Sequence, residues 1–142
     1  LYLCGVSGDW IDNFIKERNN IKYLGALSEE TAHQFTSKCD IGMIPYDDNK
    51  LYYNIAYPTK LSFYITAGIP YLSTPVAEVI NIQEKYQIGF VCNISEWKKY
   101  IRHISKEDVQ KKKELAKTYS NNFLWEYIFN DFMFMYETKK TL

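Results

Sequence analysis

The sequence predicts an α/β fold in which helices cover both faces of a parallel β-sheet. Three observations predict it. Short apolar runs alternate along the chain with stretches whose apolar residues recur at helical spacing. Proline and glycine stand at several boundaries between these stretches, where a helix begins or ends. The 142 residues are 46% apolar and 17% aromatic, which allows one sizeable core that needs neither disulfides nor metal.

In the first part of the chain, the sequence pattern predicts a strand, a helix, a second strand, a second helix and a third strand, in that order. Leu1–Gly5 is an apolar run, and Asp9–Asn19 carries four apolar side chains at helical spacing. Ile21–Ala26 predicts the second strand. Ser28 and the two glutamates after it favour the start of a second helix. Asp40–Tyr46 contains the third strand, which a proline stops.

The middle of the chain continues this alternation. Thr59–Ala67 predicts a helix that begins after Pro58 and ends at Gly68, because glycine readily adopts the left-handed conformation that follows a helix end. The next elements are the strand Ile69–Ser73, the helix Pro75–Tyr86 and the strand Gly89–Cys92. Five parallel strands that alternate with helices are joined by right-handed crossovers, so the predicted architecture is Rossmann-like.

The last part of the chain is helical, with helices predicted at Ser95–Ile104, Glu107–Tyr119 and Asn121–Lys139. The final helix places a stripe of large side chains on one face: Trp125, Ile128, Phe129, Phe132 and Tyr136. This stripe either packs in the core or docks against a domain outside this chain. We predict a single domain over residues 1–142, in which residues 107–142 form a helical tail.

Charge and cysteine content narrow the range of partners. The 17 Lys and Arg residues balance 17 Asp and Glu residues, so a small-molecule partner is expected and nucleic acid is not. Cys4, Cys39 and Cys92 follow no metal-ligand spacing, which favours free thiols in the cytoplasm. His33 and His103 have no third ligand at metal spacing, so no metal or other cofactor is predicted. No apolar segment is long enough to span a bilayer.

Ligands of open parallel sheets bind at the carboxyl ends of the strands, where helix N-termini present free N–H groups to anions. Four predicted loops lie there: Gly5–Gly8, Leu24–Leu27, Tyr46–Lys60 and Ser73–Val76. The small residues of Gly5–Gly8 form a tight turn or let a phosphate or sugar approach the backbone, although the loop matches neither G-x-G-x-x-G nor a P-loop. Lys60 lies in the first turn of a predicted helix, where a cation opposes the helix dipole. It is either a solvated lysine or the counter-charge of a bound diphosphate.

The segment Pro58–Pro70 reads Pro-Thr-Lys-Leu-Ser-Phe-Tyr-Ile-Thr-Ala-Gly-Ile-Pro. It resembles the nucleotide-sugar-binding helix and the following strand in the carboxyl-terminal half of GT-B glycosyltransferases. In particular, it is similar to bacterial galactofuranosyltransferase-like and glucosyltransferase-3-like enzymes. Leu3–Gly8 and Ala77–Val91 also resemble that subgroup, so the resemblance covers residues 1–105.

The resemblance implies the donor-binding half of a hexosyltransferase of polysaccharide biosynthesis, which passes a sugar from a UDP-linked donor to a glycan or glycoprotein acceptor. The residues implied at the donor diphosphate are Pro58, Thr59, Lys60, Gly5 and Ser7. Those implied beside the base are Gly25, Ala26 and Leu27, and those at the donor sugar or ribose are Tyr53 and Asn54. It assigns no catalytic residue to this chain, which alone is expected to be inactive.

The sequence departs from the broad GT-B pattern in two respects. Phe63 stands where many retaining members have a glutamate that holds the ribose, a departure that the named subgroup shares. The acceptor-binding amino-terminal domain, and the strand and helix that normally open the carboxyl-terminal domain, are missing, so we expect a fragment. The missing strand would lie in the middle of the sheet, and its loss would leave unpaired edges or a reorganised sheet.

Two other functions remain open from the sequence. The chain could be a non-catalytic Rossmann-like module that binds a partner through its aromatic final helix, or a GT-B-shaped enzyme of other chemistry, such as a nucleotide-sugar epimerase. A location at the inner face of the membrane and a homo-oligomer also remain open. The fold alone does not decide among these functions, whereas nucleotide affinity separates an enzyme from a binding module.

Overall fold

A computed structural model describes residues 1–6, 8 and 10–140 of the chain, with side chains through residue 136. The chain divides into two compact units, a first unit that comprises Leu1–Phe35 and a second unit that begins at Thr36. Each unit contains its own parallel sheet.

The first unit is built around two short parallel strands. In chain order its elements are strand β1 (Tyr2–Leu3), helix α1 (Trp10–Ile15), strand β2 (Lys22–Tyr23) and helix α2 (Glu29–Thr36), which ends at the start of the second unit. Leu3 pairs with Tyr23 across the two strands. Ile11 on α1 is buried, and the Tyr2 ring packs edge-on against Phe35 with 5.0 Å between ring centroids.

The second unit contains a three-stranded parallel sheet and the remaining helices. In chain order its elements are β3 (Gly42–Ile44), α3 (Leu51–Ile55), α4 (Thr59–Thr66), β4 (Tyr71–Ser73), α5 (Ala77–Tyr86), β5 (Phe90–Val91), a 3₁₀ turn (Ile94–Glu96), α6 (Trp97–His103), α7 (Lys106–Tyr119), a second 3₁₀ turn (Ser120–Phe123) and α8 (Trp125–Lys140). The strands pair in the order β3-β4-β5, with Leu72 opposite both Met43 and Phe90.

Successive residues of a strand point to opposite faces of its sheet. Packed side chains cover both faces of this sheet. Tyr71 of β4 belongs to the larger core cluster, which joins β3, β4, α4, α5 and α7 through Ile44, Leu61, Ile65, Tyr71, Val76, Val79, Ile88 and Ala116. The next residue, Leu72, belongs to a smaller cluster with Phe90 and Trp97. The central strand β4 is therefore buried on both sides.

Two glycines let large rings lie against the backbone of the second unit. A Cβ atom at Gly89 would lie 2.1 Å from the ring of Tyr71, and one at Gly42 would lie 2.3 Å from the ring of Tyr64. The Tyr71 hydroxyl donates a hydrogen bond to Gln83 Oε1, which also accepts one from the Gly89 N–H. Burial raises the pKa of the Tyr71 phenol. The packing around β4 thus has no room for a larger residue at position 89.

The predicted alternation of strands and helices is confirmed, and each of the five observed strands lies within its predicted range. Two features differ from the prediction. Helix α3 occupies a stretch that the sequence predicted as loop, and the strands form two sheets instead of one. Among the described strands β1 pairs with β2 alone and β3 with β4 alone.

The final helix α8 carries many solvent-exposed apolar side chains. Trp125 is 74% exposed, Phe129 47% and Phe132 57%. In the chain as described, the aromatic stripe therefore does not pack in the core. No helix among the residues described has the length and hydropathy to cross a membrane.

Candidate functional site

The carboxyl edge of the three-stranded sheet gathers the most informative residues of the second unit. Tyr46 follows β3 by two positions, and Thr74 directly follows β4. The Thr74 hydroxyl donates a hydrogen bond to the Tyr46 carbonyl over 2.7 Å. Helix α4 leads into the amino end of β4, so its own N-terminus lies at this same carboxyl edge. Ligands of open parallel sheets bind at such edges.

Helix α4 begins as the sequence predicted. Buried Pro58 is its N-cap with φ −74° and ψ 99°, and it provides no side-chain hydrogen bond to the first turn. Leu61 N–H donates to the Pro58 carbonyl over 2.8 Å, while Thr59 and Lys60 are exposed. Gly68 follows the helix with φ +73°, a conformation that strains any residue with a Cβ.

The charge at the start of α4 is the opposite of what a helix dipole favours. Helix α5 has Glu78 in its first turn, and α7 has a capping box formed by Ser105 and Asp108. The first turn of α4 carries Lys60 and no acidic residue. The unpaired N–H groups of a first helical turn and an ammonium together suit an anion.

An aromatic pair lies beside this helix start. The rings of Tyr46 and Tyr53 stack with 4.5 Å between centroids and an interplanar angle of 15°. Lys60 Nζ lies 6.0 Å from the centroid of the Tyr46 ring, within the range of a cation–π contact. Burial is the main cause that raises the pKa of the Tyr46 phenol, followed by the neighbouring Tyr53 and Tyr52. The stacked rings of Tyr46 and Tyr53 therefore form a partly desolvated surface next to the Lys60 ammonium.

The two residues implied at the sugar or ribose lie on α3. Tyr53 is half-buried in the stack with Tyr46. The Asn54 side-chain amide donates a hydrogen bond to the Asp48 carbonyl over 2.6 Å, which holds the loop before α3. Asp47 Oδ1 accepts a bond from Asn49 N–H and so belongs to a turn. Asn54 thus already has a structural role, and its contact with a sugar remains a prediction.

The implied residues of the first unit lie in the loops after its two strands. The Gly5 N–H donates to the Gly25 carbonyl over 2.9 Å, and the Tyr23 hydroxyl donates to the Gly5 carbonyl over 2.6 Å. Both glycines have positive φ, +140° and +72°, and a Cβ on either would meet nothing within 4 Å. Backbone conformation, not space, explains glycine here. Ala26 is exposed and Leu27 half-exposed.

The structure brings the implied residues together in two groups. Gly5 and Gly25 are hydrogen-bonded within the first unit, whereas the implied residues of the second unit, Tyr53, Asn54, Pro58, Thr59 and Lys60, lie on α3 or at the start of α4. Ser7 lies outside the described residues. Phe63 is half-buried on α4 and contacts Tyr64 edge-on. Within the described ranges no group of three or more His, Cys, Asp or Glu side chains is placed to hold a metal ion.

Sequence reasoning placed Tyr46 and Thr74 in candidate ligand loops that follow predicted strands, but it gave neither residue a role. Their hydrogen bond joins residues 28 positions apart, which no local pattern reveals.

Comparison with known proteins identifies a family. The model of the family described as glucosyltransferase 3-like, C-terminal domain matches residues 6–133. No curated protein matches the chain. The family match includes Gly25, α3, α4 and the sheet edge described above; it begins one residue after Gly5 and ends within α8.

Proposed function

Because the chain belongs to the glucosyltransferase 3-like C-terminal domain family, we propose that it is the donor-binding half of a glycosyltransferase. The enzyme would transfer a sugar from a UDP-linked donor to a glycan or glycoprotein held by another domain. The single observation that carries the donor role is the start of α4 at the carboxyl edge of the sheet, where the first turn carries Lys60 and no acidic residue.

The chemistry asked of this site is mainly electrostatic. When the sugar leaves its donor, negative charge grows on the departing diphosphate. A helix N-terminus and a fixed ammonium stabilise that charge more strongly in the transition state than in the ground state, which accelerates the reaction. Pro58 sets the start of the helix, and Thr59 and Lys60 would contact the phosphates. The proposal uses no metal ion, so a chelator should leave turnover of the full-length enzyme unchanged.

The resemblance also implies donor contacts within the first unit. Gly5 and Ser7 would lie at the phosphates or the donor sugar, and Gly25, Ala26 and Leu27 beside the base. The hydrogen bond between Gly5 and Gly25 supports this assignment, because it joins the two loops that would meet adjacent parts of one ligand. Tyr53 and Asn54 are proposed near the sugar or ribose.

The pairing of the strands supports a GT-B carboxyl-terminal half with a Rossmann-like sheet. In a doubly wound sheet of order 3-2-1-4-5-6, strand 1 separates strands 2 and 4. Without strand 1, the pairs 3-2 and 4-5-6 remain. The β1–β2 pair and the β3-β4-β5 sheet correspond to these two remnants.

Calorimetric titration tests the donor role. The folded chain is titrated with UDP, and with GDP and AMP as comparisons. Binding of UDP alone, weakened by Lys60→Ala, would support the proposal. Lys85→Ala is a matched control, since Lys85 Nζ also lies over a tyrosine ring, 5.0 Å from that of Tyr86, but far along α5 from its N-terminus. If the folded chain binds no UDP, the same titration of the full-length protein decides whether the donor site is assigned wrongly.

The exposed stripe of α8 favours a second candidate function, that of an interaction module. Large apolar surface in water is typical of a docking face, and Trp125 and Phe132 are both more than half exposed. This candidate predicts that Phe132→Ser abolishes association with a partner and leaves nucleotide affinity unchanged. Co-purification of the full-length protein with and without that substitution measures the first effect, and UDP titration the second.

A cytoplasmic location completes the proposal. Cys4 and Cys92 are free thiols, and free thiols persist in reducing compartments. Labelling with a membrane-impermeant thiol reagent tests the location, because Cys4 is exposed and would react only after the cells are opened.

A further inference from the structure

Three contacts fix the position of Tyr46 at the carboxyl edge of the sheet. Its carbonyl accepts the hydrogen bond of Thr74, which is only 1% exposed. Its ring stacks on Tyr53, and both tyrosines pack against the larger core cluster. The position of the Tyr46 ring is therefore set by the core and not by solvent-exposed side chains.

Lys60 is held less firmly by its own surroundings. It is exposed in the first turn of α4, and a lysine side chain has a flexible four-carbon stem. An ammonium that samples many rotamers binds an anion less well, because binding must then restrict those rotamers. The ring of Tyr46, 6.0 Å from Lys60 Nζ, attracts the ammonium toward one region of that space.

We propose that Tyr46 is a positioning residue, whose ring holds the Lys60 ammonium at the start of α4 before the donor diphosphate binds. This inference rests on the proposed function, since it takes Lys60 to meet that diphosphate. Tyr46 acts through Lys60 and needs no contact with the donor. The phenol oxygen is not required, so phenylalanine at position 46 should serve as well as tyrosine.

The positioning itself is measured by NMR on the chain without any nucleotide. A ring current shifts the methylene signals of a lysine that lies over an aromatic face. The Lys60 signals, assigned by their loss in Lys60→Arg, should move downfield in Tyr46→Leu and stay in place in Tyr46→Phe. The Lys85 signals, from a lysine over Tyr86, should be the same in every variant. Unchanged Lys60 signals in folded Tyr46→Leu would overturn the proposal.

The consequence for binding is measured by UDP titration of a double-mutant cycle. Tyr46→Leu should weaken UDP binding by about two- to five-fold when Lys60 is present. In the Lys60→Ala background the same substitution should have no further effect. An equal loss in both backgrounds would show that Tyr46 acts on the ligand or the fold directly, and would overturn the proposal.

The two experiments separate the two hypotheses. If the Lys60 signals depend on Tyr46 but Lys60→Ala leaves UDP affinity unchanged, the positioning is correct and the donor role of Lys60 is wrong. If Lys60→Ala weakens UDP binding but the Lys60 signals do not change with the residue at position 46, the donor role of Lys60 is correct and the positioning is wrong. Thermal unfolding of Tyr46→Leu confirms that the variant is folded, and Tyr46→Phe provides the comparison if it is not.

Discussion

Replacing Lys60 with alanine should separate ligand binding from fold stability. Two opposing effects act on the free energy of unfolding. A cation in the first turn of α4 opposes the helix dipole, so its removal stabilises the helix by about 0.3–1 kcal/mol. Loss of the contact with the Tyr46 ring costs about 0.5–1 kcal/mol at an exposed position. The two effects offset one another, and the net change should be within about 0.7 kcal/mol.

The effect on binding should be far larger. A hydrogen bond or ion pair between an ammonium and a diphosphate oxygen contributes about 1.5–3 kcal/mol, because one partner is charged. Its loss corresponds to an affinity for UDP that is about 10- to 150-fold lower. Calorimetric titration measures this affinity, and urea unfolding of the same samples measures stability. Lys60→Arg should retain part of the affinity, since the charge remains while the point-like ammonium becomes a planar fork.

Two results would refute this reasoning. An unchanged UDP affinity in Lys60→Ala would show that the ammonium does not meet the diphosphate. A loss of stability well above 1 kcal/mol would show that Lys60 supports the fold, since surface positions rarely cost that much. The Lys85→Ala control should leave UDP affinity unchanged, because Lys85 lies in the last turn of α5 and not at the carboxyl edge of the sheet. It should lower stability, since a cation in the last turn favours the helix dipole and Lys85 Nζ lies over the Tyr86 ring.

Three further predictions concern the scaffold. Gly89→Ala should destabilise the chain by about 1–3 kcal/mol, since the new methyl group would overlap the buried Tyr71 ring; urea unfolding measures this. Gln87→Gly should stabilise it by up to about 1 kcal/mol, because residue 87 ends α5 with φ 54°; a rise in Tm checks this. Ser105→Ala should lower Tm at neutral pH and flatten its fall in acid. Hydrogen bonds from Ser105 hold the pKa of Asp108 below its ordinary value, so their stabilisation is present above that ordinary value and is lost as pH falls through the lowered one.

Local signals in the sequence were sufficient for most of the fold. Pro58 and Gly68 predicted the two ends of α4. Proline restricts its own φ angle and glycine allows a positive φ, and both effects act without any tertiary contact. Helix α3 could not be predicted in the same way. It has five residues, and Leu51, Tyr52 and Ile55 are exposed, so the sequence shows no apolar stripe facing the core.

The candidate site was predictable only in part. Lys60 could be predicted as a site residue from its position alone, since its charge opposes the helix dipole. Tyr46 gains its importance from Thr74 and Tyr53, which lie 28 and 7 positions away, and only the folded sheet brings these groups together. The stack also explains why Tyr53 is half-buried, although the resemblance placed it at a sugar.

The exposed stripe of α8 and the start of α4 serve different purposes, so the two candidate functions do not exclude each other. Helix α8 contacts the 3₁₀ turn before it, and that turn packs against α4. A partner seated on α8 would therefore lie one layer away from the element that carries Lys60. UDP titration of the isolated chain tests the site at α4 without requiring that partner. If the isolated chain binds UDP, the donor site forms without a partner on α8. If the donor site requires a partner on α8, UDP will bind only to the full-length protein.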